Sequence, residues 1–394
     1  MNKQEQLNYL KNSLMYQMSL GSKELYHSNV WAWLLEKDRE YIKAFFNIDL
    51  TEFDNKFEVR RELAHRDITI WLHKKGYPDN QGKCYLVIEN KIKSLPTKEQ
   101  LQDYTEDLGN NELFAATYTG IRSVLNSEDR ICKNKKTNEV ITWNFRSYKD
   151  IAESIVKITN DSDISAIKEH KSQILEYCHI VQALNDLLES SLDDTKNILS
   201  YKTMENLEDE RIRIGDVFKK LKGADFLAYV RKRKNELDQL CPKSEGYRLA
   251  IWQSYNNKHA TLDIRFSNWT ENCSSYFDIG IQIEESQYRR MALVDGQTAR
   301  KFNSSNTAEN FFMSLAEEWF DKNFDPKSTQ RTIWGKATKL KKKFDSYITN
   351  QYCFVYQYCN IAEQNSNIRY EDLFNCLKED LKKAKEIIEK RAFN

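Results

Sequence analysis

Glu89, Asn90 and Lys91 follow directly on Cys84-Tyr85-Leu86-Val87-Ile88, a continuous apolar run of the kind that forms a strand buried on both faces. Strand parity puts Glu89 and Lys91 on one face, about 7 Å apart along the backbone. A carboxylate and an ammonium are costly at the end of such a strand unless each has a partner. Asp67 is a second unusual acid. It is the only one in Asp67-Ile68-Thr69-Ile70-Trp71-Leu72, a segment that alternates Ile68, Ile70 and Leu72 against Asp67, Thr69 and Trp71. If the two strands pair antiparallel through the turn at 76–82, Asp67 lies beside Glu89 at one end of the sheet. Two carboxylates meeting there are a natural ligand pair for a hard, oxygen-seeking cation, Mg2+ or Mn2+.

The surrounding pattern supplies the elements that would hold them. Residues 1 to about 46 read as helices broken near Leu20-Gly21-Ser22, and Glu24, His27, Ser28, Trp31 and Leu35 share one stripe of the second helix. That stripe is half polar and half core. Strands are expected at 57–63, 67–72, 84–88, 113–118 and 140–143, with a polar loop over 126–138. Thr97 can cap a helix running to about Leu108, with Gln100 at the capping-box position. Helical pattern returns at 148–152 and 165–189. This order describes an α/β core with a mixed sheet.

Leu188 to Thr195 is the best domain boundary, dividing the chain into 1–190 and 191–394. The second part reads as α+β: a charged helix to about Leu240, alternating segments at 247–252, 261–266 and 276–283, an aromatic strand near 352–356, and helices near 307–322 and 369–391. A length of 394 residues fits two domains, and 40% hydrophobic content supports proper cores. Lys and Arg total 60 against 59 acids, so a surface for a polyanion must be a local patch. No stretch reaches the ~20 apolar residues of a membrane span, and the first twenty residues lack a secretory pattern. The eight cysteines form no CxxC pair and read as reduced thiols, which makes the cytoplasm the expected location.

Asp67, the turn, the apolar strand and then Glu89-x-Lys91 resemble the PD-(D/E)XK nuclease superfamily. Two flanking segments strengthen the likeness. Glu24-Leu25-Tyr26-His27-Ser28-Asn29 with Trp31-Ala32-Trp33-Leu34-Leu35 looks like the first-helix motif of one prokaryotic branch, and Gln100 to Tyr104 resembles the Gln-x-x-x-Tyr helix found in several branches of the superfamily. The resemblance covers roughly residues 20 to 185, and Arg66 stands where the name-giving proline would be. It implies a restriction-endonuclease-like mixed-sheet core flanked by helices, with the second α+β domain outside it. It also implies metal-assisted phosphodiester hydrolysis. Asp67 and Glu89 would bind one or two divalent ions, helped by the Asn90 carbonyl and by Glu24. Lys91 would orient or deprotonate the attacking water. Gln100 and Tyr104 would anchor site groups or a phosphate, and His27 and Ser28 would support Glu24.

The function expected is therefore a Mg2+- or Mn2+-dependent nuclease acting on DNA, in defence or repair, with a homodimer as one way to make double-strand breaks. Two other classes compete with it: a nucleic-acid-binding module that does not cut, and a protein-interaction component. Plainer roles also exist for single residues. Asp67, Glu89 and Lys91 could form an ordinary salt-bridged cluster. Glu24 could serve the helix dipole, Gln100 a cap, and His27 the core. Among basic residues, Arg60, Arg61 and Arg66 could track a phosphate backbone or pair with Glu58 and Glu62. Lys336 to Lys343, including Lys339, sit near Trp334 and Phe344 and could contact phosphate. Arg231-Lys232-Arg233-Lys234 reads as a solvated helix face.

Overall fold

The computed structural model describes residues 2–13, 15–16, 24–63, 65–77, 83–92, 94–106, 112–135, 137–200, 207, 209, 212, 214–243, 246–255, 260–268, 277–284, 287–295, 314–315, 318–320, 352–360 and 367–392. By contacts the chain divides into two units. One is Met1–Asp194 with Met204–Leu221, and the other is Thr195–Thr203 with Lys222–Asn394.

In the first unit α1 (Lys3–Asn12) and α2 (Glu24–Lys37) precede strands β1 (Phe53–Leu63), β2 (Arg66–Lys74) and β3 (Lys83–Glu89). Helix α3 (Lys98–Glu106) then leads to β4 (Glu112–Gly120), β5 (Ile131–Lys133) and β6 (Val140–Ser147). Helices α4 (Tyr148–Asp161), α5 (Ser165–Glu169) and α6 (Lys171–Asp194) follow. The six strands lie in the order β1-β2-β3-β4-β6-β5. β1, β2 and β3 pair antiparallel, whereas β3 with β4 and β4 with β6 are parallel. A parallel return needs a crossover, and α3 provides it between β3 and β4. The resulting helix-flanked mixed sheet is the α/β core that the resemblance implies.

The interior place of β3 explains its composition. Cys84 to Ile88 are all buried, as parallel strands covered on both faces must be. One face packs Tyr85 and Val87 with Leu101, Ala116, Tyr118 and Trp143, and Trp71 and Tyr104 flank that cluster. Short β5 falls inside the stretch expected to be loop. Only Cys132 of its three residues is buried, so it carries almost no apolar signal.

In the second unit β7 (Ile198–Ser200) pairs with β13 (Asn367–Arg369). Helices α7 (Gly215–Lys232), which carries the border between the units, and α8 (Lys234–Asp238) lead to β8 (Tyr247–Tyr255), β9 (Ala260–Asn268), β10 (Asp278–Glu284), β11 (Gln287–Asp295) and β12 (Tyr352–Asn360). These five strands form an antiparallel sheet in the order β12-β11-β10-β9-β8. Leu262, Ile264, Phe266, Ile279, Ile281 and Ile283 join Leu373, Phe374, Leu377 and Leu381 of the closing helix α9 (Tyr370–Ala392) in one core.

Strand β11 escapes the sequence reading because Arg289-Arg290 interrupts its pattern. Arg290 is buried at 5% exposure, with Asp380 of α9 accepting from its Nη2 at 2.6 Å and from its Nε at 3.0 Å. Of the expected helix near 307–322 only 314–315 and 318–320 are described, with 314–315 and 318–319 helical; most of the turn at 76–82 and the whole run 336–343 lie outside the described residues. Among the described residues no helix is long and apolar enough to cross a membrane.

Candidate active site

The β2–β3 register pairs Ile68 with Ile88, and one further step sets Asp67 opposite Glu89. An extended chain turns alternate side chains to opposite faces, so Glu89 and Lys91 fall on one side and Asn90 on the other. All three are buried: Glu89 at 2%, Asn90 at 0% and Lys91 at 7%. Asp67 Oδ2 accepts the main-chain N–H of Asn90 at 2.7 Å, fastening the start of β2 to the end of β3. Lys91 Nζ lies 2.6 Å from Glu89 Oε1. Glu89 Oε2 is buried and has no hydrogen-bond partner among the described residues, and the same is true of the Thr69 hydroxyl, which lies on the same face as Asp67.

Burial pushes the Glu89 carboxyl up to about 7; the Lys91 ammonium opposes that shift, and Asp67 reinforces it. Asp67 is raised to about 6, again chiefly by burial, against the Asn90 N–H and Lys91 and with help from Glu24 and Glu62. For Lys91 burial works downward, but the Glu89, Glu24 and Asp67 carboxylates outweigh it and hold the amine above its ordinary value. The site is thus a pair of acids short of positive charge, with one cation beside them. That is an environment a divalent ion would relieve.

Asn90 is the mechanical centre of the site. Its Nδ2 donates to the Glu24 carbonyl at 2.7 Å and to Ser28 Oγ at 2.9 Å. Its Oδ1 accepts from Thr119 Oγ1 at 3.2 Å and from the Tyr148 hydroxyl. One amide therefore joins the first turns of α2, the end of β4 and the start of α4. Gly120 completes the fit, because a Cβ there would come 3.2 Å from the Lys91 carbonyl oxygen.

Glu24 stands close by, and one of its carboxylate oxygens holds the backbone that follows Lys91. Its Oε1 accepts from the Ile92 N–H at 3.1 Å, the Ser94 N–H at 2.8 Å and Ser94 Oγ at 2.9 Å, which pins the chain just after Lys91. Among the described residues no group of three or more His, Cys, Asp or Glu side chains is gathered for a metal ion. The three-carboxylate set of Asp67, Glu89 and Glu24 is accordingly not assembled. What fits a hard cation is narrower: Asp67 facing Glu89, with a buried carboxylate oxygen that no other described group satisfies.

The other expected residues divide. Gln100 and Tyr104 are joined, Gln100 Nε2 donating to the Tyr104 hydroxyl at 2.8 Å, and Thr97 Oγ1 caps α3 through the Gln100 N–H at 3.2 Å. The Tyr104 phenol is raised by burial and by the Glu89 charge. Ser28 supports Asn90 and donates to the Glu24 carbonyl at 3.0 Å, serving the backbone and not the Glu24 carboxylate. His27 is buried at 1%, with Nδ1 3.1 Å from the Tyr177 hydroxyl and its ring edge-on to Tyr148, so it belongs to the packing of α2 on α4 and α6.

Arg66 is buried at 4% and donates to the Tyr104 carbonyl at 3.3 Å; such a side chain holds α3 to the sheet and cannot track a phosphate backbone. Arg60 is exposed and pairs with Glu58 at 2.7 Å, while Arg61 donates to Asn29 Oδ1 at 2.7 Å. Lys336 and Lys339 lie outside the described residues. Sequence reasoning misses Thr119, Tyr148 and Ser94. Thr119 and Tyr148 lie 29 and 58 residues from Asn90, so no local spacing could announce them.

No curated protein and no solved structure matches the chain. A family model does, over residues 13–179, a span that contains α2, the whole six-stranded sheet and the Asp67–Glu89–Lys91 site. That model describes the PD-(D/E)XK nuclease superfamily, and the match together with the sheet order just described makes residues 13–179 similar to that superfamily.

Proposed function

We propose that the chain is a divalent-metal-dependent nuclease that hydrolyses phosphodiester bonds of DNA. Phosphodiester hydrolysis is the chemistry implied by the superfamily that residues 13–179 resemble; the substrate, the metal and the residue roles are our reading. The observation that carries it is the meeting of Asp67 and Glu89 across adjacent strands, with Lys91 Nζ at 2.6 Å and one Glu89 oxygen buried without a partner among the described residues.

Asp67 and Glu89 would hold Mg2+ or Mn2+, with the main-chain carbonyl of Asn90 as a further oxygen. When bound, such an ion polarises the scissile phosphate and makes a hydroxide-like nucleophile accessible near neutral pH. Lys91, kept charged by its carboxylate neighbours, orients the attacking water and offsets charge that builds on the phosphate oxygens. Asn90 aims the two acids and the amine by locking the backbone between them. Gln100 and Tyr104 steady the face on which substrate arrives. Glu24 fixes the turn after Lys91 so that the amine cannot drift. The carboxy-terminal unit would select substrate or partner, in a defence or repair setting, and pairing of two copies would suit double-strand cleavage.

The test is direct. Purified protein is incubated with linear duplex, circular duplex and single-stranded DNA, and with RNA, in Mg2+, Mn2+ or EDTA. Asp67→Asn, Glu89→Gln and Lys91→Ala are compared after circular dichroism has confirmed their folding. Cutting that needs the metal and disappears in all three variants supports the proposal. Cutting that survives in the variants refutes the residue assignment. Tight binding without cutting in either metal would mean that the fold grips nucleic acid without hydrolysing it.

A further inference from the structure

The cluster 231–234, expected as a uniform solvated face, divides its side chains between two duties. Arg233 turns inward, lies over the Phe374 ring at 4.1 Å and pairs with Glu236 and Glu371. Arg231 and Lys234 instead line a groove of about 440 Å³ whose other wall is Arg248-Leu249-Ala250-Ile251-Trp252 of β8. Among the described residues, three cations and no acid line it. In a chain whose formal net charge is +1, such a local concentration marks where an anion would settle.

Trp252 is 48% exposed, which is unusual for the largest apolar side chain. It sits on a built platform. The Arg265 guanidinium lies 4.4 Å from its ring centroid and is itself only 5% exposed. Arg265 is held by Asp278 at 3.1 Å and Asp263 at 3.7 Å. Gly280 gives it room, since a Cβ there would fall 2.6 Å from the Arg265 Cβ and 2.4 Å from the Ile264 oxygen. A buried, doubly paired cation under an exposed indole fixes the ring's orientation at little entropic cost. Lys234 is tied to Asp238 one turn away, at 2.6 Å and near half exposure, a surface pair weak enough to yield to a phosphate. Arg248 is exposed and has no acidic partner among the described residues. Among the described residues β8 is also the last strand of its sheet, and its segment Arg248–Trp252 lines the groove.

We infer that this groove binds single-stranded nucleic acid, with a base stacked on Trp252 and the backbone phosphates on Arg231, Lys234 and Arg248. An exposed, pre-oriented aromatic beside cations is the arrangement that grips unpaired strands without reading their sequence. In a duplex the bases stack on one another and present no face to an indole. The choice of nucleic acid over an acidic peptide added to the β8 edge rests on the nuclease reading of the other unit; the groove itself does not.

The full chain is titrated in EDTA, where metal-dependent cutting is silent, into fluorescein-labelled oligothymidylate of about 15 nucleotides, following anisotropy and tryptophan quenching. Oligouridylate, duplex DNA and a poly-glutamate peptide are the parallel probes. Trp252→Ala should weaken binding of the single strand ~5- to 150-fold, the range expected when one base loses its aromatic platform, and Trp252→Phe should restore most of it. Arg248→Glu should weaken it too and flatten the slope of log affinity against log salt by about 0.7 for each phosphate that is no longer neutralised. Trp252→Ala binding like the unaltered chain, duplex binding as tightly as single strand, or preference for the acidic peptide would each overturn the inference. Trp252-dependent binding by a chain that cuts nothing upholds it while refuting the nuclease reading. Cutting that proceeds with no Trp252-dependent binding does the reverse.

Discussion

Replacing Asn90 by alanine should loosen the first unit more than any other single polar substitution near the site. The side chain is fully buried, at 0% exposure, and makes four hydrogen bonds to Glu24, Ser28, Thr119 and Tyr148. At about 1 kcal/mol net apiece the sum approaches 4 kcal/mol. Part of this is recovered, because Ser28 keeps its bond to the Glu24 carbonyl and Thr119 remains beside Tyr148. A net loss of about 3 kcal/mol is expected. A two-unit chain need not melt in one step, so the measurement should be local. Hydrogen exchange of peptides spanning 84–92 reads the opening free energy there, and the protection factor should fall by about two orders of magnitude. A cycle with Tyr148→Phe should show a coupling above about 0.5 kcal/mol, since the two groups are bonded. Protection within about threefold of the unaltered chain, or strict additivity in the cycle, would refute the idea that one amide organises this site.

The remaining expectations concern pH, charge and packing. Asp67 and Glu89 are raised to about 6 and about 7, so protons compete with a metal for both; Mn2+ affinity measured by calorimetry should drop steadily from about pH 8 to about pH 5.5, and a flat profile would contradict the two-carboxylate site. The same shifts fix a stability trend in metal-free protein. A carboxyl whose folded value is raised contributes most below its unfolded value and loses that contribution as pH rises through the folded one. Exchange protection of 84–92 should therefore fall between about pH 4.5 and about pH 7.5 and recover when metal is added. Asp380→Ala removes the carboxylate that pairs with the buried Arg290 and accepts from Tyr288, costing the second unit about 3–5 kcal/mol, whereas Asp380→Asn should cost less; equal melting of the two would argue against a buried ion pair. Gly280→Ala drives a methyl into backbone at 2.4–2.5 Å and should destabilise the five-stranded sheet by about 1–3 kcal/mol or more, read as weaker exchange protection in 278–284.

Much of the first unit is legible in the sequence because its signals are local. Cys84 to Ile88 read as an interior strand, and Asp67 opens a clean alternation whose antiparallel pairing with that strand the structure shows. The antiparallel pairing of the two and the mixed sheet around them follow from a short turn on one side and a helix on the other. Elements with mixed or sparse apolar content are harder. β5 offers one buried residue, and β11 hides its alternation behind an arginine pair whose second member is neutralised from a helix 90 residues away.

What the sequence by itself determined is which side chains could do chemistry and on which face of their strand they stand, because backbone parity is a property of neighbours. Only the tertiary structure decided how they are used. Glu24 is a plausible third ligand by type and motif, yet three donors from Ile92 and Ser94 claim one of its oxygens. Asn90 offers a carbonyl by its place in the motif, and its side chain proves to be the tie between three other elements. Arg66 and His27 are drawn into packing once α3, α4 and α6 close over them. The physical reason is common to all four. A polar group's role is set by the partners that desolvation forces on it, and those partners arrive from distant parts of the chain only when it folds.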